Sequence, residues 1–155
     1  MTQEDPSDRF LQENLTIIGD TPERTYLYDA ASHLLVASWK QDTTDHHSTE
    51  KFKTNALKLL EFVATCKPKY MIVDCRHLGF ELSYQDQRWY VEQTKSVWEK
   101  LKVQKIAFVF RSNLAVQMSM EGLKEVAIEE GMRKQISYRI FESNIDAANW
   151  LKSGR

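Results

Sequence analysis

Three strand-like runs, "KYMIVDC" (Lys69 to Cys75), "QKIAFVFR" (Gln104 to Arg111) and "QISYRIF" (Gln135 to Phe141), each follow a segment whose apolar residues recur at helical spacing. This alternation limits the possible folds more than any other feature of the chain. Strands that alternate with helices build right-handed crossovers, and several in succession give a largely parallel sheet with helices packed on it. The first two runs are continuously apolar, as in strands covered on both faces, whereas the third alternates.

The helical segments carry their own signatures. In "KFKTNALKLLEFVATCK", Phe52, Ala56, Leu59, Leu60 and Val63 fall on one helical face, with Ser48 or Thr49 suited to the N-cap and Pro68 to the stop. "SYQDQRWYVEQTKSVWEKLK" turns Tyr90, Thr94, Val97, Trp98 and Leu101 inward. A third segment repeats Val116, Met120, Leu123 and Ala127 and ends at Gly131, and "SNIDAANWLK" closes the chain as a short helix. Upstream, "RTYLYDA" and "HLLVASWK" are two β-rich runs too close for a crossover, which predicts an antiparallel hairpin. "LTIIGD" (Leu15 to Asp20) reads as a short strand or an extended arm before the break at Thr21-Pro22.

The expected fold is therefore a single α/β domain over residues 21–155, preceded by a tail or arm at 1–20. Its sheet is mixed, with four or five strands, mostly parallel after an N-terminal antiparallel hairpin, and about four helices pack on it. A chain of 155 residues fits one domain. Its 21 basic and 22 acidic residues leave a net charge of −1, so no global field recruits nucleic acid or anionic lipid. No basic stretch followed by an apolar core opens the chain, and nowhere do apolar residues run long enough to span a bilayer. The expectation is a cytoplasmic protein without a membrane span, with Cys66 and Cys75 as reduced thiols.

Ligands of such sheets sit beyond the carboxyl ends of the strands, which directs attention to Lys40 to Thr49, Asp74 to Ser83, Arg111 to Leu114 and Glu142 to Asn144, the second of them within "MIVDCRHLGFELSYQD", Met71 to Asp86. Cys75 as a phosphatase nucleophile would need an arginine six positions on, but that position holds Glu81, which would repel the phosphoryl group. Asp45, His46 and His47 offer metal donors with no second Cys/His pair at finger-type spacing, so a solvated loop and no metal are expected. Neither G-x-G-x-x-G, G-x-x-x-x-G-K-[ST] nor G-x-S-x-G occurs, so no cofactor is expected. Trp89, Tyr90 and Trp98 lie within helical reach of one another, and burial against the sheet accounts for them without RNA. Ser83 opens a helix three residues before Asp86, the pattern of a cap in which the serine bonds first-turn N–H groups while the acid reaches back. Ser143 and Asp146 repeat it. Phosphorylation of Ser83 would place about −2 charge beside a helix N-terminus, which the helix dipole tolerates.

From Thr25 to Leu151 the element order, together with the ending Phe141, Ala147, Ala148, Trp150 and Leu151, resembles the STAS domain family, the fold of bacterial anti-sigma-factor antagonists. In that family a strand ending in Asp is followed nine positions later by a phosphorylatable serine, and here Asp74 leads to Ser83. The family writes Asp-Ser-Ser-Gly-Leu around that serine, where this chain has Leu82-Ser83-Tyr84-Gln85-Asp86. The resemblance implies a non-enzymatic regulatory module that contacts a protein partner through the surface around residues 76–88. Its site residues would be Asp74, Arg76, His77, Ser83, Asp86 and Arg88, with Asp74 organising the loop. One alternative makes Ser83 the phosphorylation site of an anti-sigma-factor antagonist. Another is a pocket for a small or lipid-like ligand lined by Trp39, Trp89, Phe108 and Met118. An enzyme using Cys75, Asp74 and His77 has the least support. Two copies could pair through a sheet edge or an exposed helix face, and nothing in the sequence chooses between those arrangements.

Overall fold

A computed structural model of the protein describes residues 15–40, 49–77, 83–100, 103–110 and 137–153. The described strands are β1 (Thr16–Asp20), β2 (Arg24–Asp29), β3 (Leu34–Trp39), β4 (Tyr70–Asp74), β5 (Lys105–Val109) and β6 (Ser137–Phe141). The described helices are α1 (Thr49–Cys66), α2 (Tyr84–Lys100) and α3 (Asn144–Lys152). All six strands form one sheet in the order β1-β2-β3-β4-β5-β6. The first two junctions are antiparallel and the other three parallel. The hairpin and the mostly parallel sheet that follows it are as the sequence predicts. The strand count is not, because six strands stand where four or five are expected.

The additional strand is β1, so of the two readings of Leu15 to Asp20 the strand is the one observed. Its pairing with β2 slips between Ile17 and Gly19, a bulge at Ile18 that breaks the alternation by which strands are recognised. Gly19 is needed there. A Cβ at this position would run into the ring of Phe62, with Cε2 only 2.8 Å away. Residues 111–136, which include the expected helix ending at Gly131, lie outside the described residues, and three of the four expected helices are described.

The layers follow from the connections. From β3 to β4 and from β4 to β5 the chain advances one place in the same direction, so crossovers of one hand put α1 and α2 on the same face. There Phe52, Leu59, Leu60 and Val63 of α1 and Val91 of α2 pack on Tyr26, Leu35, Trp39, Met71, Val73 and Ile106. The five α1 positions singled out by spacing are all buried. Among the described side chains of α2, Asp86, Gln87, Val91 and Thr94 are buried, with Tyr90 and Val97 packed beside them, whereas the Trp98 side chain and Leu101, also expected inward, lie outside the described residues. α3 follows the last strand and folds back over the opposite face, where Ala147 and Leu151 meet Val36, Ile72, Ala107 and Val109. β4 lies between these layers and every residue of it is buried, which accounts for its unbroken apolar run.

The connections are built locally. Asp29 holds the hairpin turn, accepting from the Ala31 N–H at 3.1 Å and from the Ser32 hydroxyl at 2.8 Å. α1 ends at Lys67, whose φ of 49° is the left-handed C-terminal conformation, with Pro68 next to block continuation. Among the described residues no helix is long and apolar enough to cross a membrane.

Candidate functional site at the carboxyl end of the fourth strand

Successive side chains of a strand lean to opposite faces. On β4, Met71 and Val73 face α1 and α2, whereas Tyr70, Ile72 and Asp74 face α3. Asp74 is 2% exposed, and a carboxylate so deep is tolerated only when its oxygens are occupied by donors. Arg76 supplies three: Nε to Oδ1 at 2.9 Å, Nη2 to Oδ2 at 2.6 Å, and its backbone N–H to Oδ1 at 3.1 Å. Ser38, opposite Asp74 in the parallel register, donates its hydroxyl at 3.3 Å. Asn144, the first residue of α3, donates Nδ2 at 3.4 Å. The carboxylate thus ties together the ends of β3 and β4, the chain reversal after β4 and the start of α3. The Arg76 side chain is itself only 9% exposed, so the fork is a buried bidentate pair.

Cys75 points the other way, into the layer beneath α1 and α2. Burial pushes its thiol up to about 12, the nearby Arg24 guanidinium working against that shift and Asp74 adding to it. A thiol held so high carries almost no thiolate at neutral pH. Asp74 and Cys75, adjacent in sequence, lie on opposite sides of the sheet. His77 is half-buried beyond the reversal.

The start of α2 supplies the remaining residues. Ser83 Oγ accepts from the Asp86 N–H at 3.1 Å, and its carbonyl accepts from the Gln87 N–H at 3.0 Å, so the serine is an N-cap. The Asp86 carboxylate is buried in the seam between helices, 3.8 Å from Lys53 Nζ of α1. Arg88 lies on the outer side, donating Nη1 to the Tyr84 hydroxyl at 3.2 Å with Nε 3.8 Å from Glu92. Tyr84 is 55% exposed. The six residues singled out in the sequence are thus not one cluster. Asp74 and Arg76 form a buried knot on the α3 side, Asp86 sits between α1 and α2, and Ser83 and Arg88 are on the surface.

No protein-family model, no curated protein and no solved structure matches the chain. The site is therefore read from its own geometry.

Other sequence candidates are dispersed. Asp45, His46, His47, Glu81 and Met118 lie outside the described residues, and among the described residues no three His, Cys, Asp or Glu side chains are gathered as a metal site would require. Lys53 Nζ sits 5.2 Å from the centre of the Trp89 ring, and Tyr90 packs against Phe52 at 5.8 Å, so both aromatics are engaged with α1. Trp39 is buried in the core against Phe52, and Phe108 stacks on Phe110 at 6.5 Å. Sequence reasoning included Asn144 in a strand-end segment but did not link it to Asp74, 70 residues away, and it missed Ser38, 36 residues from the same partner, and Arg24. For Arg24 one signal existed: it shares an alternation phase with Tyr26, a core residue.

Proposed function

We propose that the protein is a non-enzymatic, STAS-like binding module that docks a partner protein through the first turns of α2, with Ser83, Tyr84 and Arg88 as the contact. One observation carries this reading: Asp74 and Cys75, the groups that chemistry at this loop would require, are committed to opposite faces of the sheet, one saturated with donors and the other held protonated. What remains open at this end of the described chain is an exposed tyrosine bonded to an exposed arginine. Tyrosine and arginine are the residue types in which binding energy concentrates at protein interfaces. In this reading Asp74 is the buried brace behind the surface, as the STAS resemblance implies, and Ser83 is the point at which a phosphate would alter it. A phosphoserine at the cap would sit beside the helix N-terminus, whose dipole favours its charge.

The test is a photo-crosslinking residue placed at Tyr84 in cells that make the protein. The expected result is one dominant protein adduct that disappears with Arg88→Glu and does not form from Asn149, an exposed residue of α3 on the other face of the sheet. Equal adducts from both positions, or adducts unaffected by Arg88→Glu, would contradict the proposal. Mass spectrometry of the same material decides whether Ser83 carries phosphate.

A further inference from the structure

We propose that Arg24 anchors a binding site for a small oxyanion, a carboxylate or phosphate group, at the carboxyl end of the sheet on the side covered by α1 and α2. Arg24 is the first residue of β2 and stands opposite Trp39, the last residue of β3. Because these strands are antiparallel, it lies at the end of the sheet where β3 and β4 terminate, the end at which α/β folds receive ligands.

Its environment is unusual for a charge. Arg24 is only 3% exposed, and its Nε is buried with no hydrogen-bond partner. Among the described residues no carboxylate forms an ion pair with it. The guanidinium lies 4.6 Å from the Trp39 ring and 5.6 Å from the Tyr26 ring. Stacking on aromatic rings stabilises a desolvated cation, but a ring face gives the buried Nε–H no lone pair in its own plane. Across the sheet the same problem is solved by pairing, Asp74 with Arg76.

The neighbouring residue does not supply the missing anion. Glu23 is also buried, with Oε2 unpartnered, and its charge is felt at Tyr26 beside Arg24, yet no ion pair joins the two residues. The Tyr26 hydroxyl donates to Asn55 of α1, and the Arg24 guanidinium acts on its oxygen, but Nε remains without an acceptor. With its flat face against the aromatic rings, the guanidinium keeps its Nε edge for an acceptor. That edge takes a carboxylate or phosphate side-on through two parallel bonds. Trp39, Phe52 and Tyr90 continue as an aromatic row, with centroids 6.2 and 5.8 Å apart, and give the site apolar walls. Phe52 belongs to the first turn of α1, so the positive end of that helix lies over the same region.

The experiment is thermal unfolding of the full chain titrated with inorganic phosphate or with acetate, at constant ionic strength against chloride, for the wild type and Arg24→Met. The proposal expects a saturable rise in Tm with at least one anion, and an apparent Kd at least about tenfold weaker in the variant, which corresponds to the loss of one charged bond. A response to phosphate alone assigns a phosphate-bearing ligand, and a response to acetate alone assigns a carboxylate. No saturable rise with either anion, or the same rise in Arg24→Met, overturns the proposal. Should Arg24→Met fail to fold, the Arg24 Nε–H resonance of the wild type carries the test. Its saturable displacement by phosphate or acetate, but not by chloride, supports the site, and its indifference to both overturns it. Arg88→Glu leaves this response unchanged, which separates it from the docking surface on α2.

Discussion

Burial holds the Cys75 thiol protonated far into alkaline solution, pushed up to about 12 from an ordinary value of 9.0. Below about pH 9 the thiol is neutral in both the folded and the unfolded chain and contributes no pH dependence. Between 9.0 and about 12 only the unfolded chain ionises there, so stability falls as pH rises through that window. Urea unfolding followed from neutral pH into it should show this decline, and Cys75→Val should lessen it. In the native protein at about pH 8, Cys75 should be modified by a thiol reagent no faster than the chain unfolds. Rapid labelling without unfolding would show that the thiol is accessible. Ser83 tests the opposite situation, an exposed hydroxyl with one bond to the backbone. Ser83→Ala should cost about 1 kcal/mol in urea denaturation through the lost cap. An unchanged midpoint would mean that the hydroxyl does not bond the Asp86 N–H in solution.

Among the elements, α3 depends on a residue from another part of the chain. Lys105, at the start of β5, reaches the end of the helix and donates Nζ to the Trp150 carbonyl at 3.0 Å and to the Ser153 carbonyl at 2.6 Å. A cation there satisfies carbonyls that the helix leaves open and opposes the negative end of its dipole. Lys105→Met should lose about 1–2 kcal/mol and accelerate hydrogen exchange in the last turn of α3. Unaltered exchange would show that the helix end is held by Ser153 alone. Elements were readable from sequence where one periodicity ran undisturbed. The inward face of α1, Phe52 through Val63, and the apolar β4 are both observed as spaced. β1 was ambiguous for a physical reason: it is an edge strand with Ile17 62% exposed and a bulge at Ile18, so neither burial nor alternation marks it. Asp86 lies on α2 as expected, whereas its nearness to Lys53 was not legible, because that lysine belongs to a different helix and is 33 positions away, from 53 to 86.

For the whole molecule, the carboxyl end of the sheet carries two buried arginines with different circumstances. Arg76 is neutralised by Asp74, and that pair joins two strands, a chain reversal and α3, whereas Arg24 on the other face has aromatic rings but no carboxylate among the described residues. The succession of strands along the chain, the antiparallel hairpin and the parallel pairing after it were legible in the sequence. The knot itself was not, since Ser38 and Asn144 join it only through register and the folding back of α3. If the polar cluster after β4 is a brace and not reacting machinery, its two charges must depend on each other for stability. A double-mutant cycle in urea with Asp74→Asn, Arg76→Met and the double variant measures that dependence. Each single change should cost about 3–5 kcal/mol by stranding the other charge, with the double variant losing clearly less than the two combined. Single variants within about 0.5 kcal/mol of the wild type, or losses that simply add, would contradict the account.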